Sequence, residues 1–141
     1  MMQDVVRVGT AKGAMVLKRN DLAGKTGTTN DIKDTWFMGF NPDIVTGVWM
    51  GFDQPTSMGK SESGGSSALP IWVDYMRLAL KDSPDVGFAK PVGIISKRID
   101  AVTGELLPVG QNGGINEVFD ENNLPAVSEP DPLRELQHEL F

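Results

Sequence analysis

Lys25-Thr26-Gly27-Thr28-Thr29, inside the longer run Leu22-Ala-Gly-Lys-Thr-Gly-Thr-Thr-Asn-Asp31, sets a cation, hydroxyls and a residue without a side chain along one short segment. That collection suits holding a carboxylate beside an acyl group under attack. Ala23 to Thr29 reads as a strand, with Asn30-Asp31 as the turn signal that ends it. Gly27 has a physical reason to be there, because a side chain would obstruct a substrate lying alongside the strand.

Downstream, Thr35-Trp-Phe-Met-Gly-Phe40 and Ile44-Val-Thr-Gly-Val-Trp-Met-Gly-Phe52 are rich in β-branched and aromatic residues, and Asn41-Pro42-Asp43 joins them at hairpin length. Both runs are apolar at nearly every position, which predicts burial on both faces. Gly39, Gly47 and Gly51 are expected to allow close approach by another layer. The aromatics Trp36, Phe37, Phe40, Trp49 and Phe52 read as core rather than as a ligand platform. Residues 55–67, rich in Ser and Gly, read as a loop. A helix follows, with Ser66 or Ser67 as N-cap and Pro70 in the first turn. Leu69, Trp72, Val73, Met76 and Leu80 form its apolar stripe, opposite Asp74, Arg77 and Lys81, and it ends near Lys81. Upstream, residues 1–18 read as a short helix and a loop.

After Pro91 the pattern changes. Ile94 to Ile99 reads as a strand, Asp100 to Gly104 as its turn, and Ile115 to Phe119 as a second strand. From Glu117 onward the acidic residues face a single Arg134, the pattern of a solvated tail, with a short helix expected at Leu133–Leu140.

The chain has 141 residues, 40% apolar and 23% charged, enough for one globular domain with a short appendage. Its net charge of -6 provides no footprint for nucleic acid. It has no cysteine, which excludes a disulfide framework and a thiolate metal site. No apolar run approaches the roughly 20 residues of a spanning helix, and Met1 to Arg7 lacks the form of a signal peptide. The sole histidine, His138, sits in the charged tail, so neither His-based catalysis nor metal ligation is expected. No cofactor is expected.

K-T-G is one of three signatures of serine β-lactamases and penicillin-binding proteins, beside S-x-x-K and S-D-N. Ala23-Gly-Lys-Thr-Gly-Thr-Thr-Asn30, Asp34-Thr-Trp-Phe-Met-Gly-Phe-Asn41, Val48-Trp-Met-Gly-Phe-Asp53 and Ala68-Leu-Pro-Ile-Trp72 closely resemble the C-terminal part of the transpeptidase domain of bifunctional, class A penicillin-binding proteins, nearest to their 1A type. Val5-Val-Arg-Val-Gly-Thr10 resembles the segment that precedes the K-T-G strand there. The resemblance covers residues 2–82 well, continues loosely through Ile94–Gly104, and is poor beyond Gly110.

The resemblance implies an α+β fold, a fragment of the penicillin-binding/serine β-lactamase-like transpeptidase fold, with antiparallel strands packed by a C-terminal helix and followed by a small β-rich extension. It sets apart a transpeptidase portion at 1–90 from the β-rich extension at 91–127, and the prolines and acidic residues of 128–141 read as a mobile tail. It implies that Lys25 lines the cleft opposite the nucleophilic serine, that Thr26 and Thr28 offer hydroxyls to a D-alanine or β-lactam carboxylate, and that Thr29 assists. Gly27 keeps the strand open to substrate, and the backbone N–H of Thr28 is one of two oxyanion-hole donors. The implied partners are peptidoglycan stem peptides ending in D-Ala-D-Ala, β-lactams and the remainder of the transpeptidase domain. The implied location is the periplasmic side of the bacterial inner membrane, with the anchor outside this chain.

The departures matter as much. No S-x-N motif occurs, and the one S-x-x-K, Ser57-Met-Gly-Lys60, runs into Ser61-Glu-Ser-Gly-Gly65, which does not continue a helix. A catalytic S-x-x-K needs its serine at a helix start, so that lysine one turn on reaches the hydroxyl. Ser57 therefore reads as a loop serine, and the nucleophile is expected outside the chain. On these grounds the segment alone is expected to be inactive and prone to self-association. The alternative from another class is a non-catalytic module that binds cell-wall peptide or a protein.

Overall fold

A computed structural model describes residues 1–128 in two compact units that divide after Phe88. The expected helix at Leu133–Leu140, His138 and the acidic tail beyond Ser128 lie outside the described residues. The first unit runs through helix α1 (Met2–Arg7), a 3-10 turn (Lys12–Leu17), strands β1 (Ala23–Thr28), β2 (Asp34–Phe40) and β3 (Val45–Gly51), a wide helical turn (Gly64–Ala68) and helix α2 (Leu69–Ala79). The three strands form an antiparallel sheet in the order β1-β2-β3. The mixture of helices and antiparallel strands is the α+β arrangement expected from the resemblance.

Side chains alternate across a strand, so a helix laid on one face of the sheet meets every second residue. On that face Phe37 and Trp72 are fully buried and meet edge to face, with ring centroids 5.0 Å apart. Gly39 makes the approach possible, because a Cβ there would stand 2.5 Å from the Trp72 ring. The stripe of Leu69, Trp72, Val73, Met76 and Leu80 is buried throughout, joined by Val6, Ala11, Ala14 and Leu22. Asp74 and Arg77 lie on the opposite side and pair at 2.6 Å.

Four expectations need correction. Burial on both faces does not hold for the hairpin within this chain: Trp36, Met38 and Trp49 keep 44%, 44% and 45% of their surface exposed, and Phe52 is exposed too. Among the described residues, only the face toward α2 is covered. Of the aromatics read as core, Phe37 alone is fully buried, whereas Trp36 and Trp49 pack against each other at a tilt of 51°, 6.4 Å between centroids. Gly47 and Gly51 make room for side chains of their own sheet: a Cβ would stand 2.5 Å from Met38 Sδ and 2.6 Å from the Trp49 ring, respectively. The fourth correction is the N-cap. Ser63, not Ser66 or Ser67, opens the helical segment: its hydroxyl accepts from Ser66 N, and its own N–H donates to Ser66 Oγ. Reciprocal pairing satisfies two end donors at once, which Ser66 or Ser67 as cap would not do.

The second unit holds an antiparallel pair, β4 (Ile94–Ile99) and β5 (Ile115–Asp120), where both strands were expected. Asp100 shapes the turn after β4, its carboxylate accepting from Val102 N and Thr103 N. Leu106 bridges Ile99 on one side and Val127 on the other.

Candidate active site

Two backbone bonds set the phase of the sheet. Thr29 N donates to Asp34 O and Asn41 N donates to Ile44 O, both at 3.0 Å. Antiparallel partners alternate between hydrogen-bonded and non-bonded pairs. Counting back along the registers, odd-numbered residues of β1 bond to β2, and the N–H and C=O groups of Gly24, Thr26 and Thr28 point out at the outer edge of β1, which no strand among the described residues pairs. The Lys25 ammonium uses one of these groups, donating to Thr26 O at 3.0 Å.

The same alternation separates the side chains of the K-T-G run. Lys25 and Gly27 share a face with their partners Met38 and Trp36, the exposed aromatic side. Thr26 and Thr28 share the helix-facing side with Phe37 and Thr35. There they line a cleft of about 420 Å³ with Thr10 and the Ser63–Ser66 loop. Thr10 Oγ1 and Thr26 Oγ1 are 2.8 Å apart, and Gly64 N donates to Thr28 Oγ1 at 3.2 Å. Thr29 is not in the cleft: its hydroxyl accepts from Asp34 N at 2.8 Å and is spent on the turn.

Thus Thr26, Thr28 and the outward Thr28 amide come together at one edge, with Lys25 crossing to that edge from the other face. Sequence reasoning missed Thr10 and the loop. The spacing Ser63-x-x-Ser66 is a capping pattern and was the available signal; Thr10 carried none. Ser57 lies in irregular chain and its Oγ accepts from Gly59 N at 3.3 Å, with no helix to bring Lys60 around. Among the described residues no group of three or more His, Cys, Asp or Glu could hold a metal ion.

A buried ionic cluster fixes the start of β1. The fully buried Asp21 carboxylate accepts from Arg19 Nε at 2.8 Å and Nη2 at 2.6 Å, and from Asn41 Nδ2 at 3.5 Å. Arg19 also donates to Ser83 O and Pro84 O, each at 2.8 Å, beyond the end of α2. Asn41 Oδ1 in turn accepts from Ile44 N at 2.8 Å and shapes the hairpin turn. Burial pushes the Asp21 carboxyl up, but the hydrogen bonds from Arg19 and Asn41 and the guanidinium charge outweigh it, leaving the group below the usual aspartate range. The same pairing raises the Arg19 guanidinium.

No family profile matches the sequence. The chain is 55% identical over 133 residues to penicillin-binding protein 1A of Pseudomonas aeruginosa, covering 94% of this chain and 16% of that protein. It is 62% identical over 96 residues to penicillin-binding protein 1A of Neisseria lactamica, covering 68% of this chain and 12% of that protein. The crystal structure of penicillin-binding protein 1A from Haemophilus influenzae superposes with a TM-score of 0.82 at 34% identity, over 92% of this chain and 20% of that one. The chain therefore spans less than a fifth of the length of the two curated relatives. With such identity and a matching fold across nearly all of its residues, the chain belongs to the penicillin-binding protein 1A family and corresponds to its C-terminal region, a segment of the transpeptidase domain.

Proposed function

We propose that this chain supplies the substrate-holding wall of a serine-type D,D-transpeptidase that cross-links peptidoglycan stem peptides and is acylated by β-lactams. One observation carries the reading: the hydroxyls of Thr26 and Thr28, the outward amide of Thr28 and the Lys25 ammonium converge on the outer edge of β1. A serine supplied from outside these residues attacks the carbonyl of the penultimate D-alanine. The C–N bond breaks, D-alanine leaves with a proton on its nitrogen, and an amine of a neighbouring stem takes the acyl group. Thr28 N–H donates to the oxyanion; removing such a donor elsewhere costs about 2.7–4 kcal/mol in the transition state. Thr26 and Thr28 receive the terminal carboxylate, and Lys25 supplies positive potential beside it. Gly27 leaves the strand open, and Thr29 acts on the turn rather than on the ligand. Residues 1–90 form this portion and 91–127 an extension to it, working on the periplasmic side of the inner membrane. Among the described residues no helix is long and apolar enough to cross a membrane.

The test is covalent labelling. The 141-residue chain is expected to take no label from a fluorescent penicillin under conditions that fully label the complete parent. A stoichiometric adduct on the chain overturns the reading, and peptide mapping of that adduct shows whether Ser57 carries it.

The remainder of the transpeptidase domain covers the exposed Trp36, Met38 and Trp49 face in this reading. Apolar surface of that kind left open drives association. Sedimentation of the separate chain is expected to show species heavier than its 15.3 kDa. A single monomeric boundary at micromolar concentration counts against a covered face.

A further inference from the structure

The cleft contains hydroxyls of two kinds. Those of Ser63 and Ser66 are consumed inside their own loop: Ser63 Oγ accepts from Ser66 N, and Ser66 Oγ accepts from Ser63 N while donating to Ser61 O at 3.2 Å. Those of Thr10, Thr26 and Thr28 are not. A hydroxyl has one proton to give and two lone pairs to receive with. Gly64 N–H can only donate, so Thr28 Oγ1 accepts from it and keeps its own proton for another partner. Thr10 and Thr26 stand in the same relation at 2.8 Å, except that either hydroxyl can be the donor. An anion settles the direction, because a carboxylate accepts only.

We propose that Thr10 is a positioning residue for the transpeptidase: it donates to Thr26 Oγ1, turns the Thr26 proton toward the substrate carboxylate, and polarises that bond as a two-step relay. The inference rests on the reading of Thr26 and Thr28 as the carboxylate site. Hydrogen bonds in series strengthen one another. Thr10 is itself held in place. Ala11 beside it is fully buried and donates its N–H to Val5 O at 2.9 Å. Gly65 packs against the Thr10 carbonyl, where a Cβ would come within 2.8 Å. The turn after α1 thus brings Thr10 to Thr26 Oγ1, while the Ser63–Ser66 loop backs the Thr10 carbonyl and reaches Thr28 Oγ1.

The experiment uses the complete parent protein and compares acylation by benzylpenicillin with acylation by its methyl ester, which lacks the anion. Thr10→Val is expected to slow acylation by the free acid about tenfold, the equivalent of about 1.4 kcal/mol, and to change the ester rate less than twofold. Thr10→Ser is expected to restore the acid rate to within about threefold, a span of roughly 0.7 kcal/mol. Thr10→Ala is made in parallel, so that the result does not hang on valine fitting the site. Equal slowing of acid and ester in Thr10→Val and Thr10→Ala, or no slowing in either, overturns the role of Thr10. Thr26→Val and Thr28→Val separate the two claims. If they alter the acid-to-ester ratio while the Thr10 variants do not, Thr10 is not the positioning residue and the carboxylate site stands. If none alters it, the carboxylate site itself falls.

Discussion

Arg19→Met is expected to destabilise the first unit by about 3–5 kcal/mol, the usual cost of leaving a buried carboxylate without its partner. Asp21 has no exposure to fall back on, and the 3.5 Å contact from Asn41 Nδ2 cannot replace two guanidinium bonds. The substitution also removes the donations to Ser83 O and Pro84 O that tie the chain beyond α2 to the start of β1. A pH series identifies the cause. With Arg19 present the folded Asp21 titrates below its unfolded value, so its contribution is complete above about pH 4 and is lost as pH falls through the folded value. Without Arg19, burial is opposed only by the Asn41 contact and a backbone hydrogen bond, and the folded value is expected to rise above the unfolded one. Stability of the variant then falls as pH rises from about 4 toward 7, the opposite slope. Urea unfolding of dilute chain at pH 3 to 7 measures both. Parallel pH profiles for the two proteins would show that Arg19 does not hold the charge on Asp21.

The K-T-G strand, the hairpin and the α2 stripe were all legible because their signals are local. Asn41-Pro42-Asp43 marks a turn whatever surrounds it, and the spacing of Leu69, Trp72, Val73, Met76 and Leu80 admits one face only. Trp36 and Trp49 misled because composition records that a surface is apolar, not which molecule covers it. Their exposure here and their apolar character agree if the cover lies outside this chain. The Ser63 cap was hidden among serines of equal propensity, and the choice came from Ser66 returning the bond.

Arg19 and Asp21 gave no signal, since the groups Arg19 serves beyond α2 lie more than sixty residues on. Thr10 meets Thr26 across sixteen residues, through a turn whose shape no pattern announces. The chemistry of Lys25 to Thr28 could be read directly; the groups that aim it are joined only by folding.

Gly64→Ala is expected to have the second large effect, through backbone rather than charge. An added Cβ would stand 2.3 Å from Trp36 O, 2.8 Å from Gly27 O and 3.0 Å from Gly27 N. A clash with the tip of a side chain is relieved by a rotamer change, but these three atoms belong to the β1–β2 ladder. Either the ladder shifts or the Ser63–Ser66 loop lifts away. Overpacking of this sort costs about 3 kcal/mol at the upper end of its usual range. The loop is the softer of the two, so it should yield first, withdrawing Gly64 N from Thr28 Oγ1 and releasing the hydroxyl it orients. In the complete parent protein, acylation by penicillin is therefore expected to fall at least tenfold, about 1.4 kcal/mol on the barrier. Gly13→Ala is the matched control: its Cβ would meet only the end of the Leu69 side chain, at 3.3 Å, which can move aside. That variant is expected to stay within about 1 kcal/mol of the unsubstituted chain in urea unfolding. Equal unfolding midpoints for Gly64→Ala and Gly13→Ala would mean that the loop does not rest on Gly27, and that Thr28 is oriented by something else.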